Sequence, residues 1–266
     1  MNIDKATMVY FSPTGTTKKI LEGIIEGFQV STVRQIDLTL PAANNRDFAI
    51  TKDDFAVIGA PVYGGRIPVI AAQRLKQIKA DQTPGVIVVV YGNRAFEDAL
   101  LELFQLVKEA GFIPVAAGAF IGEHSYSTAA TPIAVGRPDA QDLIQAKDFG
   151  AMIRKKIGKM QNLGAAAALS LPGKFPYQDF GKWPEMSPVI LEDICNLCGV
   201  CAAVCPTVAI TVDTTVLTDK KRCIYCCACV KSCPIEARVM EEPLIKQIAR
   251  WLSTTFQERK APDIFV

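Results

Sequence analysis

Eight of the chain's nine cysteines obey one spacing that occurs twice. Cys195, Cys198, Cys201 and Cys205, followed by Pro206, read C-x2-C-x2-C-x3-C-P; Cys223, Cys226, Cys229, Cys233 and Pro234 repeat it 28 residues later. No cysteine lies in residues 1–194, which is not how a disulfide framework spreads through a core, so the crowding is read as a metal site. A cysteine at every third position wraps three thiolates around one corner of an iron–sulfur cube and leaves the fourth too far along to close it. The fourth therefore serves the other cluster. On this pattern Cys195, Cys198, Cys201 and Cys233 hold one [4Fe–4S] cluster, and Cys205, Cys223, Cys226 and Cys229 hold a second. Zinc sites usually take two C-x2-C pairs separated by a longer loop and fit the tandem triple poorly. The ninth cysteine, Cys227, stands where the first motif has Gly199; it is read as a small buried thiol, because its use as a ligand would break the spacing.

Upstream, apolar runs alternate with helical periodicity. Strands are expected over Ala6–Phe11, Val33–Leu38, Phe55–Ala60, Val86–Tyr91 and Pro114–Ile121. Helices are expected through Ile20–Phe28, Val69–Lys79, Glu97–Ala110 and Ala140–Lys159. Such alternation implies an α/β doubly wound parallel sheet, and five strands suit the order 2-1-3-4-5. From Gly164 to Pro188 the periodicity fades and prolines stand at 172, 176, 184 and 188. Phe175, Tyr177, Phe180 and Trp183 mark that stretch as an extended connector lying along a surface. A last helix is expected over Leu244–Phe256, able to dock on either half. The division is 1–163, a connector 164–187, a cluster domain 188–242 and a helix and tail 243–266.

In an open α/β sheet ligands bind beyond the carboxyl ends of the strands. The first loop there holds Ser12, Thr14, Gly15, Thr16 and Thr17, hydroxyls and a glycine at a helix N-terminus where N–H groups and the dipole favour a phosphate. Neither G-x4-G-K-[ST] nor G-x-G-x-x-G is present, so nucleoside triphosphates and dinucleotides lose support. Pro61, Val62, Tyr63, Gly64 and Gly65 follow the third strand, and Tyr91, Gly92, Asn93 and Arg94 the fourth. The glycines permit close approach to a flat ring on which Tyr63 or Tyr91 could stack. His124, the sole histidine, follows the fifth strand; a structural hydrogen bond is favoured for it over proton donation to a reduced cofactor. Arg66 and Arg94 are open between balancing cofactor charge and simple solvation.

Residues 188–240 resemble the bacterial-type ferredoxin with two [4Fe–4S] clusters, and residues 3–160 resemble a flavodoxin-like domain. Together the chain resembles flavodoxin–ferredoxin fusion proteins of anaerobes. The resemblance implies a small α+β ferredoxin domain beside the flavodoxin-like sheet. It also implies FMN held by Ser12 and Thr14–Thr17 at the phosphate and by 62–65 and 92–94 at the ring. An electron carrier linking one- and two-electron partners is favoured. An FMN-dependent reductase of a quinone, nitro compound or oxidised thiol is the alternative, and a redox sensor has less support. Redox proteins of ferredoxin or flavoprotein type are the expected partners, with a homodimer left open. The formal net charge of +2 offers nucleic acid no basic footprint. The longest apolar run, 164–171, is too short to span a bilayer, and no signal-peptide pattern opens the chain, so a cytoplasmic location is expected.

Overall fold

The computed structural model describes residues 3–41, 48–159, 169–179, 181 and 183–266. Strand β1 (Lys5–Tyr10) leads into helix α1 (Thr16–Phe28), then β2 (Thr32–Asp37), β3 (Phe48–Ile50), β4 (Ala56–Pro61) and α2 (Val69–Leu75). There follow β5 (Ile78–Ala80), β6 (Thr83–Tyr91), α3 (Ala99–Glu109), β7 (Phe112–Ile121) and α4 (Ala140–Lys159). Strands β2, β1, β4, β6 and β7 lie side by side in that order, all parallel. Counted as five main strands this is 2-1-3-4-5, the order of flavodoxin-like folds. Helix α2 stops short of Lys79 because Ile78–Ala80 pair in parallel with Phe48–Ile50, a small ladder that periodicity did not reveal.

Each central strand is buried on both faces, and alternation divides its side chains between two cores. Val9, Ile58, Ile87 and Val89 face one way, with Leu75 of α2 and Leu100, Leu103 and Val107 of α3. Met8, Val57, Val86 and Val88 face the other, with Ile20, Leu21, Ile24 and Phe28 of α1 and Phe149, Ile153 and Ile157 of α4. Helices α1 and α4 meet through small residues: a Cβ on Gly27 would lie 2.0 Å from the Lys147 carbonyl oxygen, and one on Gly150 would lie 2.0 Å from that of Ile24. Backbone touches backbone there.

The second half repeats itself in its backbone as in its cysteines. Strand β8 (Val189–Ile190), α5 (Val200–Ala203), β9 (Ile210–Val212), β10 (Val216–Thr218), α6 (Ala228–Lys231) and β11 (Arg238–Val239) form a small unit with β8 antiparallel to β11 and β9 to β10. Left-handed backbone recurs at 28-residue intervals: Leu197 and Tyr225, Gly199 and Cys227, Val208 and Glu236. Cys227 thus takes a conformation suited to glycine, at the start of α6.

The tail is a correction to the five-stranded expectation. Helix α7 (Pro243–Thr255) packs Ala249 and Leu252 against Ile133, which lies in the segment between β7 and α4. Strand β12 (Asp263–Phe265) then adds a sixth, antiparallel strand beside β7. It covers what would otherwise be an open sheet edge. Of the connector, Lys174 and Gln178 donate backbone N–H groups to the Asp98 carboxylate at 2.9 and 2.8 Å, and Tyr177 lies under the Arg66 guanidinium. Phe175 is exposed, while Phe180 and residues 160–168 lie outside the described residues. No helix among the described residues is long and apolar enough to cross a membrane.

Candidate functional site: two cysteine-lined cavities against the sheet end

The cysteines sort into two cavities. Cys195, Cys198, Cys201 and Cys233 line one, with about 290 Å³ of unfilled space, mouth included. Cys205, Cys223, Cys226 and Cys229 line the other, with about 340 Å³, and Cys227 stands beside them. The fourth cysteine of each motif has therefore crossed to the partner motif's cavity. Each crossing thiol accepts a backbone N–H four residues on, from Ala209 to Cys205 at 3.3 Å and from Ala237 to Cys233 at 3.2 Å. Such donors stabilise charge on cluster sulfur. The thiols ring a volume, and among the described residues no three His, Cys, Asp or Glu side chains gather on a single-ion point. Burial raises the Cys223 thiol to about 11, opposed by a backbone hydrogen bond at Tyr225 and by the Arg238 charge.

Residues 187–242 match the family model of the 4Fe–4S dicluster domain. This chain joins a flavodoxin-like fold to a 4Fe–4S dicluster domain. Over 58 residues it is 41% identical to the B chain of tetrathionate reductase from Salmonella typhimurium, covering 20% of this chain and 23% of that protein. The match thus spans under a quarter of that relative's length. Among solved structures, rubredoxin oxygen:oxidoreductase from Desulfovibrio gigas aligns with a TM-score of 0.41 at 18% identity, over 62% of this chain and 37% of that one. Flavodoxin 1 from Bacillus cereus aligns with a TM-score of 0.41 at 15% identity, over 57% and 97%. The flavodoxin-like assignment rests on strand order, and the 4Fe–4S dicluster match supports a redox role.

The dicluster domain is seated on the carboxyl end of the sheet. Arg74, buried on α2, donates to the carbonyls of Leu38 and Thr39 and, at 2.8 Å, to that of Pro206, the residue after Cys205. Lys231 of α6 pairs with Glu123 at 2.7 Å and donates to the Ser127 carbonyl. Tyr225 stacks on Trp183, and Ile224 packs against the sheet core. Burial lifts the Tyr63 phenol well above its ordinary value. The neighbouring Cys226 and Cys227 and the phenol of Tyr126 push the same way, and a hydrogen bond with Ser125 opposes. The loop after β4 thus lies within electrostatic reach of the second cavity's cysteines.

The first loop is open. Gly15 has φ +80° with nothing within 4 Å of its missing side chain, and α1 begins without a side-chain cap. Ser12 accepts the Lys18 N–H at 3.1 Å, its own N–H goes to Thr39 Oγ1, and the buried Thr17 hydroxyl has no partner. Thr14 and Thr16 are half-buried beside it. In the next loop Gly64, φ +57°, also faces open space, whereas a Cβ on Gly65 would strike Glu97. Pro61 is buried at the end of β4, and Val62 packs on the core.

The third loop differs from its sequence reading. Tyr91 is buried in the sheet core beside Phe96. The Asn93 amide donates to the carbonyls of Phe256 and Glu258 and so holds the tail, although its buried Oδ1 is unpartnered. Arg94 pairs with Glu97 and Arg66 with Glu102, both at 2.8 Å, so neither is a solvated free charge. Gly92 is glycine because His124 lies on it: a Cβ would meet the His124 ring at 2.2 Å.

His124 Nδ1 accepts the Tyr126 N–H at 3.0 Å, which requires that nitrogen unprotonated. Burial pushes its pKa from 6.5 down to about 4, with Arg94 and Lys231 adding to the shift. The folded pKa is depressed, so the unfolded chain binds the extra proton. The histidine's contribution is complete above about pH 6.5 and is lost as pH falls toward about 4, on the order of 3 kcal/mol in all. Thermal melts of wild type and His124→Gln across this range should differ in slope, the variant being flatter; parallel curves would remove the assignment. Arg74 and Thr39 escaped the sequence reading because their partners lie far off in the chain. Position 238 carried a signal in the repeat itself.

Proposed function

We propose that this chain carries single electrons between two [4Fe–4S] clusters and FMN. The observation that carries the reading is the seating of the dicluster domain on the carboxyl end of the sheet, where Arg74 donates to the carbonyl of Pro206, the residue after Cys205, and Lys231 pairs with Glu123. When bound, the clusters supply one-electron chemistry and FMN supplies one- and two-electron chemistry. Cys195, Cys198, Cys201 and Cys233 would hold the outer cluster, and Cys205, Cys223, Cys226 and Cys229 the one nearer the sheet. Ser12 and Thr14–Thr17 would hold the phosphate, at the N-terminus of α1 where the buried Thr17 hydroxyl is unpartnered. Tyr63 and Gly64 would flank the ring, with Asn93 Oδ1 available to a donor on it.

External redox proteins would meet the outer cluster at Cys198. That residue is exposed, and Ile194, Leu197 and Ile235 beside it are 50%, 40% and 37% accessible. His124, occupied as an acceptor and held neutral, is a poor proton donor, which favours a carrier over a reductase of small molecules. Iron, acid-labile sulfide and FMN, measured per chain on protein purified without oxygen, test the reading. About eight irons and one FMN are expected. Iron without flavin, even after FMN is added, would reduce the flavodoxin-like half to a docking domain.

A further inference from the structure

At one position buried in both halves, the cysteine repeat changes its residue. Five residues after the last cysteine of the first motif stands Ile210; five after that of the second stands Arg238. Both are buried, at 4% and 2% accessibility. Through the pairing of β11 with β8, Arg238 lies opposite Ile190, and its side chain forms part of the wall of both cysteine-lined cavities. One guanidinium nitrogen donates to Thr218 Oγ1 at 3.0 Å and lies 3.9 Å from Cys229 Sγ. The buried Nε has no partner. Among the described residues no carboxylate forms an ion pair with it.

A guanidinium keeps its charge even when buried, and a buried charge without a counter-charge is strongly unfavourable. The remaining source of negative charge is the contents of the two cavities, since an iron–sulfur cube with four thiolates is anionic. We propose that Arg238 is the shared counter-charge of both clusters and holds both reduction potentials up. Adding one electron to either site adds one negative charge beside the guanidinium, so the reduced state gains from it at both sites. An apolar residue at 238, matching Ile210, would leave each site without that compensation. Arg238 is a positioning residue for charge and touches no substrate.

The inference rests on the proposed cluster sets, so iron content comes first. Wild type holding well under about eight irons per chain would overturn those sets and this inference with them. Given full loading, potentiometric titration with dithionite as the one-electron donor, followed by electron paramagnetic resonance, compares wild type with Arg238→Met, Arg238→Gln and Arg238→Lys. In the Met and Gln variants both midpoints should fall by at least about tenfold in the reduction equilibrium, ~59 mV for a one-electron couple. The Lys variant, which keeps the charge, should recover most of the shift. Fully loaded Met or Gln protein in which neither midpoint falls, or only one, would overturn the proposal. Loss of iron from both neutral variants while the Lys variant loads would also overturn it, assigning Arg238 to assembly alone.

Discussion

Replacing Cys205 by alanine is expected to remove about four of about eight irons and to abolish reduction of the flavin by a one-electron donor. Cys205 belongs to the first motif by sequence, yet it lines the cavity of Cys223, Cys226 and Cys229, the one nearer the sheet end. Its thiol accepts the Ala209 N–H, and the following Pro206 carbonyl is held by Arg74 across the domain boundary. The residue therefore joins the two cysteine motifs and also lies where the dicluster domain meets the sheet. The matching Cys233→Ala change should cost the same amount of iron from the other site. Spectra of the paired variants distinguish the sites. If Cys205→Ala and Cys195→Ala lost the same cluster, the crossed assignment would be wrong, and rapid flavin reduction in Cys205→Ala would remove the inner cluster from the route.

The second large effect concerns the helix that presents the phosphate loop. Substituting Gly150 by valine would place a Cβ 2.0 Å from the Ile24 carbonyl and 3.2 Å from Gly27 Cα. No rotamer relieves a clash of the Cβ itself with backbone, so α1 and α4 must separate. Overpacking of this kind costs about 3 kcal/mol. For a domain of this size that lowers the thermal midpoint by roughly 6–12 °C. Because Ser12–Thr17 lead into α1, the displacement should also weaken FMN. Circular dichroism melts with and without added FMN measure both effects. A midpoint within about 2 °C of wild type would mean that the close α1–α4 contact is not maintained in solution.

Features carried by local spacing were legible. The cysteine interval implied both cavities, and Val86–Tyr91 and its neighbours implied parallel strands because burial on both faces demands continuous apolar runs. Direction was less legible than identity. Tyr63 and Tyr91 each end an apolar run before a glycine, but only the strand's pleat decides which ring faces the core, and Tyr91 falls on the same face as Ile87 and Val89. The glycines illustrate the same limit. Gly15 and Gly64 open onto space, whereas Gly65 and Gly92 make room for Glu97 and His124. Strand β12 was invisible because three residues carry too little alternation to register, and its partner Ala117–Ala119 lies more than 140 residues earlier. Arg238 is different: the repeat set it against Ile210, but its importance depends on both cavities sharing one wall.

The return of β12 to the sheet changes what kind of attachment the dicluster domain has. A domain at the end of a single connector can swing through a wide arc. Here the chain leaves the flavodoxin-like part near Lys174–Gln178, held at Asp98, and rejoins it at Asp263–Phe265 on β7. The domain is thus topologically an insertion fastened at both ends. With Arg74 also holding the Pro206 carbonyl and Lys231 paired with Glu123, the inner cavity is fixed against the sheet end while Cys198 stays exposed on the outer face.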